Sequence, residues 1–178
     1  MVVRSIVIPH DPVHPPRLRE LADVGDFQAA VDGWIEPLEM PALGVTLYAN
    51  EAARRDLAPI NRRAMAVWWL YTADPTQYPM ILGDVVLTGN GSDEDTGDVP
   101  ERIIRDIFGT QEFVLQAKPF GAGPWRDTYA RFGNVFDAAT WCMLFTYCLR
   151  PGAHFRLRSN VEEPEHHSGS LHGGDRAW

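Results

Sequence analysis

An α+β fold is predicted for this sequence: a mixed, largely antiparallel sheet packed by helices, followed by a small β-β-α-β unit. Three observations carry that expectation. Ile60, Ala64, Val67, Trp68 and Tyr71 recur at three- and four-residue intervals, which places them on one stripe of a helix. Short β-rich runs such as Val2–Ile8 and Met80–Thr88 stand between glycine, proline and aspartate. The stretch Asn90-Gly-Ser-Asp-Glu-Asp-Thr-Gly-Asp98 divides the chain, because it has no face to bury and its acids repel one another. The expected organisation is an N-terminal α+β domain over 1–89, an acidic Gly-rich loop over 90–98, a C-terminal unit over 99–160 and a disordered tail over 161–178.

In chain order, Val2–Ile8 is expected as a core strand, and Pro9–Pro16 is too proline-rich for regular structure. Asp26–Val31 reads as a short helix capped by Asp23 or Asp26 and ended by Gly33. Trp34–Met40 and Val45–Tyr48 form a hairpin about the Pro41–Gly44 turn. The next helix runs from Arg62 to Thr72, capped by Asn61 and stopped before Asp74-Pro75. Met80–Thr88 follows as a strand bent at Gly83-Asp84. Asp98 is expected to cap a helix with Pro100 in its first turn and Ile103, Ile104, Ile107 and Phe108 on its apolar stripe. Glu112–Lys118 and Trp125–Phe132 pair around a glycine-rich turn, Val135–Leu149 is a helix apolar on almost every face, and His154–Arg158 closes the second unit. In that last strand His154, Arg156 and Arg158 share one face, opposite Phe155 and Leu157.

One polar site is suggested. A strand ending at Asn50-Glu51, a turn, and a helix begun by Asn61-Arg62-Arg63 place two guanidiniums where the helix dipole is already positive. Such an arrangement calls for acid. Glu51, Asp56 or Asp84 would serve from within, whereas an anionic small molecule held by Asn50, Glu51, Asn61, Arg62 and Arg63 would serve from outside. Surface charges more often mean an internal pair or simple solvation.

The same residues carry a resemblance. Val3–Ile8, Gly33-Trp-Ile-Glu36, Leu47-Tyr-Ala-Asn-Glu51, Pro59-Ile-Asn-Arg-Arg-Ala64 and Leu82-Gly-Asp-Val-Val86 follow in the order of motifs found in domain of unknown function 3846. The chain's N-terminal half resembles that family, which occurs in bacteriophages, plasmids and actinobacterial genomes. The Pro-rich insert His10-Asp-Pro-Val-His14-Pro-Pro departs from the pattern. The resemblance brings no chemistry with it; it implies a setting, a small cytoplasmic protein of a mobile element or its host.

Composition narrows the classes. A net charge of −8 argues against a generic binder of nucleic acid or anionic membrane. Cys142 and Cys148 lie in one predicted helix, point in different directions and are expected as buried, reduced thiols. The first nine residues lack the apolar core of a secretory signal, and no run reaches the ~20 apolar residues of a membrane span, so an intracellular location is expected. Asp93-x-Asp95-x-Gly97-Asp98 alternates acids as calcium loops do, yet glycine stands where the fifth ligand belongs. His166, His167 and His172 have no rigid frame, and His10 and His14 read as surface residues of a loop. No metal or cofactor is expected. Nucleophile elbows, phosphate loops and zinc motifs are lacking.

The leading functional expectation is a non-enzymatic interaction or regulatory protein with a protein partner, for which Trp68, Trp69 and Trp125 would suit an interface. A small-molecule or nucleotide-binding module built on the Asn61-Arg62-Arg63 helix start is the first alternative. A hydrolase whose site is assembled from distant residues is the second.

Overall fold

The computed structural model describes residues 2–72, 79–90, 96–109, 112–149 and 152–159. The chain divides into two compact units, Met1–Gly109 and Thr110–Trp178. The first therefore takes in the helix that sequence composition had grouped with the second. Residues 91–95, with Asp93 and Asp95 of the calcium-like pattern, and the histidine-rich tail fall outside the described residues.

The first unit contains strands β1 (Val3–Ile8), β2 (Arg17–Leu21), β3 (Ile35–Met40), β4 (Val45–Asn50), β5 (Val85–Asn90) and β6 (Thr96–Gly97), with helices α1 (Val24–Val31), α2 (Arg62–Tyr71) and α3 (Glu101–Phe108). The sheet runs β2-β1-β5-β4-β3, with β6 paired to the end of β5. Its strand pairings, among the described residues, are antiparallel. β5 lies between β1 and β4, and Val85, Val86 and Leu87 are wholly buried, which explains a run of consecutive apolar residues rather than an alternating one. Val7 and Val86 pack with Leu21, Phe27 and Val31, so α1 lies on that face of the sheet. Alternation sends Ile6, Ile8 and Leu87 to the other face, where they are buried as well.

Caps fix the helices. The Asp23 carboxylate accepts the Gly25 and Asp26 amides and starts α1, while Asp32 ends it in the left-handed region. Asn61 starts α2 by accepting the Ala64 amide at 2.9 Å. Ile60, expected on the helical stripe, is half exposed and instead forms an isolated antiparallel bridge with Leu82. Ile60 thus lies before the N-cap Asn61 and outside the helical period. Between Leu82 and β5, Gly83 has φ +69°, a left-handed bend that suits glycine and starts β5 later than the sequence suggests. The expected Asp98 cap is not formed. Its carboxylate accepts the Arg4 amide at 2.7 Å, and Pro100 stands at the N-cap of α3 without a side-chain cap.

The second unit contains β7 (Phe113–Lys118), β8 (Arg126–Phe132), α4 (Val135–Leu144), a π-helical turn over Phe145–Leu149, and β9 (His154–Ser159). β7 is central, flanked on both sides by antiparallel partners. Asn134 caps α4, and Val135, Ala138, Ala139 and Cys142 form its buried side. Phe145 and Phe155 stack with centroids 5.4 Å apart, so the Phe155 face of β9 is the one turned towards α4.

The two thiols differ. Burial raises Cys142 from its ordinary 9.0 to about 12, opposed by a hydrogen bond from Thr146. Cys148, expected to be buried, is exposed because the wider π turn carries it away from the α4 stripe. Native protein is therefore expected to take up one equivalent of a maleimide at neutral pH, and Cys148→Ser to take up none. A thiol raised in the folded state holds its stability contribution below about 9 and loses it as pH climbs towards about 12. Cys142→Ala should flatten that alkaline decline in thermal melts. Labelling of Cys142 at neutral pH without unfolding would refute the assignment.

Candidate functional site

β1 ends at Ile8, and the loop that follows carries His10, Asp11 and His14 before the chain returns as β2. The register Val7↔Arg17 and Ser5↔Arg19 places both arginines on the side of β2 that faces α1, as Val7 does. There α1 offers only Ala29 and Ala30. Small side chains leave room, and a cleft of about 460 Å³ opens between loop, strand and helix, with Asp84 joining from the bend before β5.

The polar groups of this cleft are arranged in pairs. His10 Nδ1 lies 2.6 Å from Asp84 Oδ1, and the His10 amide donates to the same oxygen at 2.9 Å. A carboxylate accepts and does not donate, so Nδ1 carries the hydrogen, and in the neutral imidazole Nε2 is the nitrogen that keeps a lone pair. His14 Nδ1 lies 3.2 Å from Asp11 Oδ2. The Asp11 carboxyl is held below its ordinary value, first by the Val13 amide, against a desolvation effect of opposite sign, and then by the His14 and His10 imidazoles. Both acids thus have partners. Arg17 and Arg19 are exposed, and no described residue forms an ion pair with either guanidinium. Among the described residues, no three or more His, Cys, Asp or Glu side chains gather as a metal cage. The arrangement can hold an anion on the arginines and accept a proton at His10 Nε2.

The residues singled out by sequence are distributed differently. Asn61 is fully buried, and its Nδ2 donates to Ile8 O at 2.8 Å and Gly83 O at 2.9 Å. Arg63 donates to the carbonyls of His14, Pro12 and Asp11 at 2.6, 2.8 and 3.4 Å, so its charge faces the negative ends of loop carbonyls. Arg62 is exposed. Of the three acids expected to neutralise this pair, Asp56 is engaged by Arg55 at 2.9 Å and Asp84 by His10. Asn50 donates to Asp32 O and accepts the Ala52 amide, shaping the turn. Asn50 and Glu51 border a different cleft of about 320 Å³, with Glu36 and Arg54. The five residues do not converge on one ligand position.

Two of them nevertheless build the His10 cleft from behind. Asn61 ties down Ile8 and Gly83, the residues that lead into His10 and Asp84, and Arg63 pins the 11–14 loop. They are positioning residues. Sequence reasoning passed over Arg17 and Arg19 and did not bring His10 and Asp84 together; the signal was the Arg-x-Arg of Arg17-Leu-Arg19 directly after a histidine-bearing loop.

No curated protein and no solved structure matches the chain. A family model described as domain of unknown function (DUF3846) matches residues 3–112, a span that takes in every element of the first unit, the cleft included. With more than half of its length so matched, the chain belongs to the DUF3846 family.

Proposed function

We propose that the first unit binds a small anionic ligand of the nucleotide or phosphate class in the His10 cleft. The observation that carries this reading is the presence of two guanidiniums, Arg17 and Arg19, on the wall of a cleft whose two carboxylates are already engaged by imidazoles. Planar guanidinium groups match phosphate oxygens two at a time, which is why such a pair selects an oxyanion. The interaction-protein reading rests less well on the aromatic residues that prompted it. Trp68 is buried, and Trp125 is engaged by two cations. The setting we infer is the one family membership implies, a protein of a mobile element or its host.

Thermal-shift titration with inorganic phosphate and with nucleoside mono-, di- and triphosphates tests the proposal. A ligand at 100 times its Kd stabilises by about 2.7 kcal/mol, which is several degrees in a unit of this size. Arg17→Ala combined with Arg19→Ala should abolish the shift, and Arg62→Ala should leave it unchanged. Absence of any shift at millimolar ligand, or one that survives the double substitution, would reject the site. The His10–Asp84 pair supports a second reading, hydrolysis of the bound phosphoester with Nε2 taking the proton of attacking water. Release of product that disappears in His10→Ala while binding persists would establish it.

A further inference from the structure

Net charge hides an asymmetry. Residues 112–159 hold six basic residues (Lys118, Arg126, Arg131, Arg150, Arg156, Arg158) against three acidic ones (Glu112, Asp127, Asp137), a balance of +3 in a chain of −8. The expectation drawn from the total charge therefore does not transfer to the second unit.

The positive charge is also placed. Phe155 turns towards α4, so His154, Arg156 and Arg158 project from the opposite face of the sheet, where all three are exposed. The β7–β9 register sets Lys118 beside His154, Gln116 beside Arg156 and Val114 beside Arg158. On the other flank, Val114 pairs with Arg131 and Gln116 with Asp127. Gln116 donates to Asp127 at 2.7 Å and accepts from Arg156 at 2.8 Å, while Arg158 donates to Asp127 at 2.7 Å. That network holds the guanidiniums in a fixed row; Arg158 is ion-paired with Asp127 and Arg131 with Glu112 at 3.7 Å, while Arg156 is held by the neutral Gln116 amide.

Aromatic rings accompany the row. The Trp125 indole lies against Arg156, 4.4 Å from the guanidinium carbon, with the Lys118 ammonium at 5.1 Å. Phe120 is 93% exposed at the tip of the β7–β8 turn, where its φ of +56° holds it in a left-handed conformation unusual for so large a residue. Tyr129 is 103% exposed at the irregularity in the β7–β8 ladder. Exposed rings on a rim of cations fit one partner chemistry well. Bases stack on rings and phosphates meet the arginines, whereas an acidic peptide would use the charge and leave Phe120 and Tyr129 idle.

We infer that this sheet face of the second unit binds single-stranded nucleic acid, with Phe120 and Tyr129 as stacking platforms and Arg131 and Arg156 contacting phosphates. Stacked bases must be unpaired, so duplex of the same length binds more weakly. Binding falls with added salt as counterions are retained on the strand.

The test is fluorescence anisotropy of the full chain with labelled oligo-dT, oligo-U and duplex DNA of about 15 nucleotides, a length one small β fold covers. The expected result is preference for a single strand, with the dT and U arms telling DNA from RNA. Phe120→Ala combined with Tyr129→Ala should weaken binding at least tenfold; both side chains are almost fully exposed, so circular dichroism should be unchanged. Arg131→Ala should lower affinity and reduce the salt slope by about one. Three outcomes would overturn the inference: no binding to either strand at low salt, equal binding of duplex with no loss in the aromatic double variant, or an equal loss from the first-unit pair Arg17→Ala and Arg19→Ala. The second would mark the face as a general polyanion or acidic-protein surface.

Discussion

Asn61→Ala is expected to cost about 3–5 kcal/mol of stability. The helix cap accounts for about 1 kcal/mol of it, the buried Ile8 O that loses the amide for about 1–3 kcal/mol, and the half-buried Gly83 O for about 1 kcal/mol. Bulk water has no direct access to replace the amide, because Asn61 has no solvent contact. The midpoint of urea unfolding, compared with that of Arg62→Ala, measures the effect, since an exposed arginine should shift stability by no more than about 0.5 kcal/mol. A loss below about 1 kcal/mol in Asn61→Ala would show that water or relaxation satisfies both carbonyls. The same substitution should loosen the approach to His10 and Asp84, so any phosphate-induced thermal shift should fall with it.

The second large effect is expected at Gly89. A Cβ built there would lie 2.1 Å from the carbonyl oxygen of Asp98 and 3.0 Å from its carbon, and backbone cannot swing aside as a side chain can. Gly89→Ala must separate β5 from β6, since Gly89 pairs with Gly97. It also strains the junction in which Asp98 receives the Arg4 amide and Val99 donates to Arg4 O at 2.8 Å. We expect a loss of about 2–3 kcal/mol, the usual scale for forced overpacking. Gly133→Ala is the control, because nothing lies within 4 Å of its added carbon. Equal melting temperatures for the two variants would remove the claim of close approach.

How much of this was legible in the residues depends on whether the cause is local. α1 and α2 could be read because their caps, Asp23 and Asn61, sit beside the segments they start. The β-β-α-β order of the second unit could be read because alternation and helical period change sharply at Pro124 and Gly133. β2 could not. Arg17-Leu-Arg-Glu-Leu21 is an edge strand with four of five residues exposed, so it has no buried face to impose alternation. The cleft was equally hidden, since His10 and Asp84 are 74 residues apart and meet only through the β1–β5 pairing. Asn61 and Arg63 were correctly noticed as unusual, but their partners are backbone carbonyls, which have no letter in a sequence.

The central strand of the first sheet is the last of its five main strands to be synthesised. Until β5 leaves the ribosome, a growing chain holds only two separate hairpins, β1–β2 and β3–β4, and isolated hairpins are marginal in water. At usual translation speeds roughly 4–15 s pass between completion of β1 and arrival of β5. During that interval the inner edge of β1 has unmet amides and carbonyls beside Ile6 and Ile8, so the nascent polypeptide presents chaperones with a β-rich target that vanishes once Val85–Leu87 slots into place.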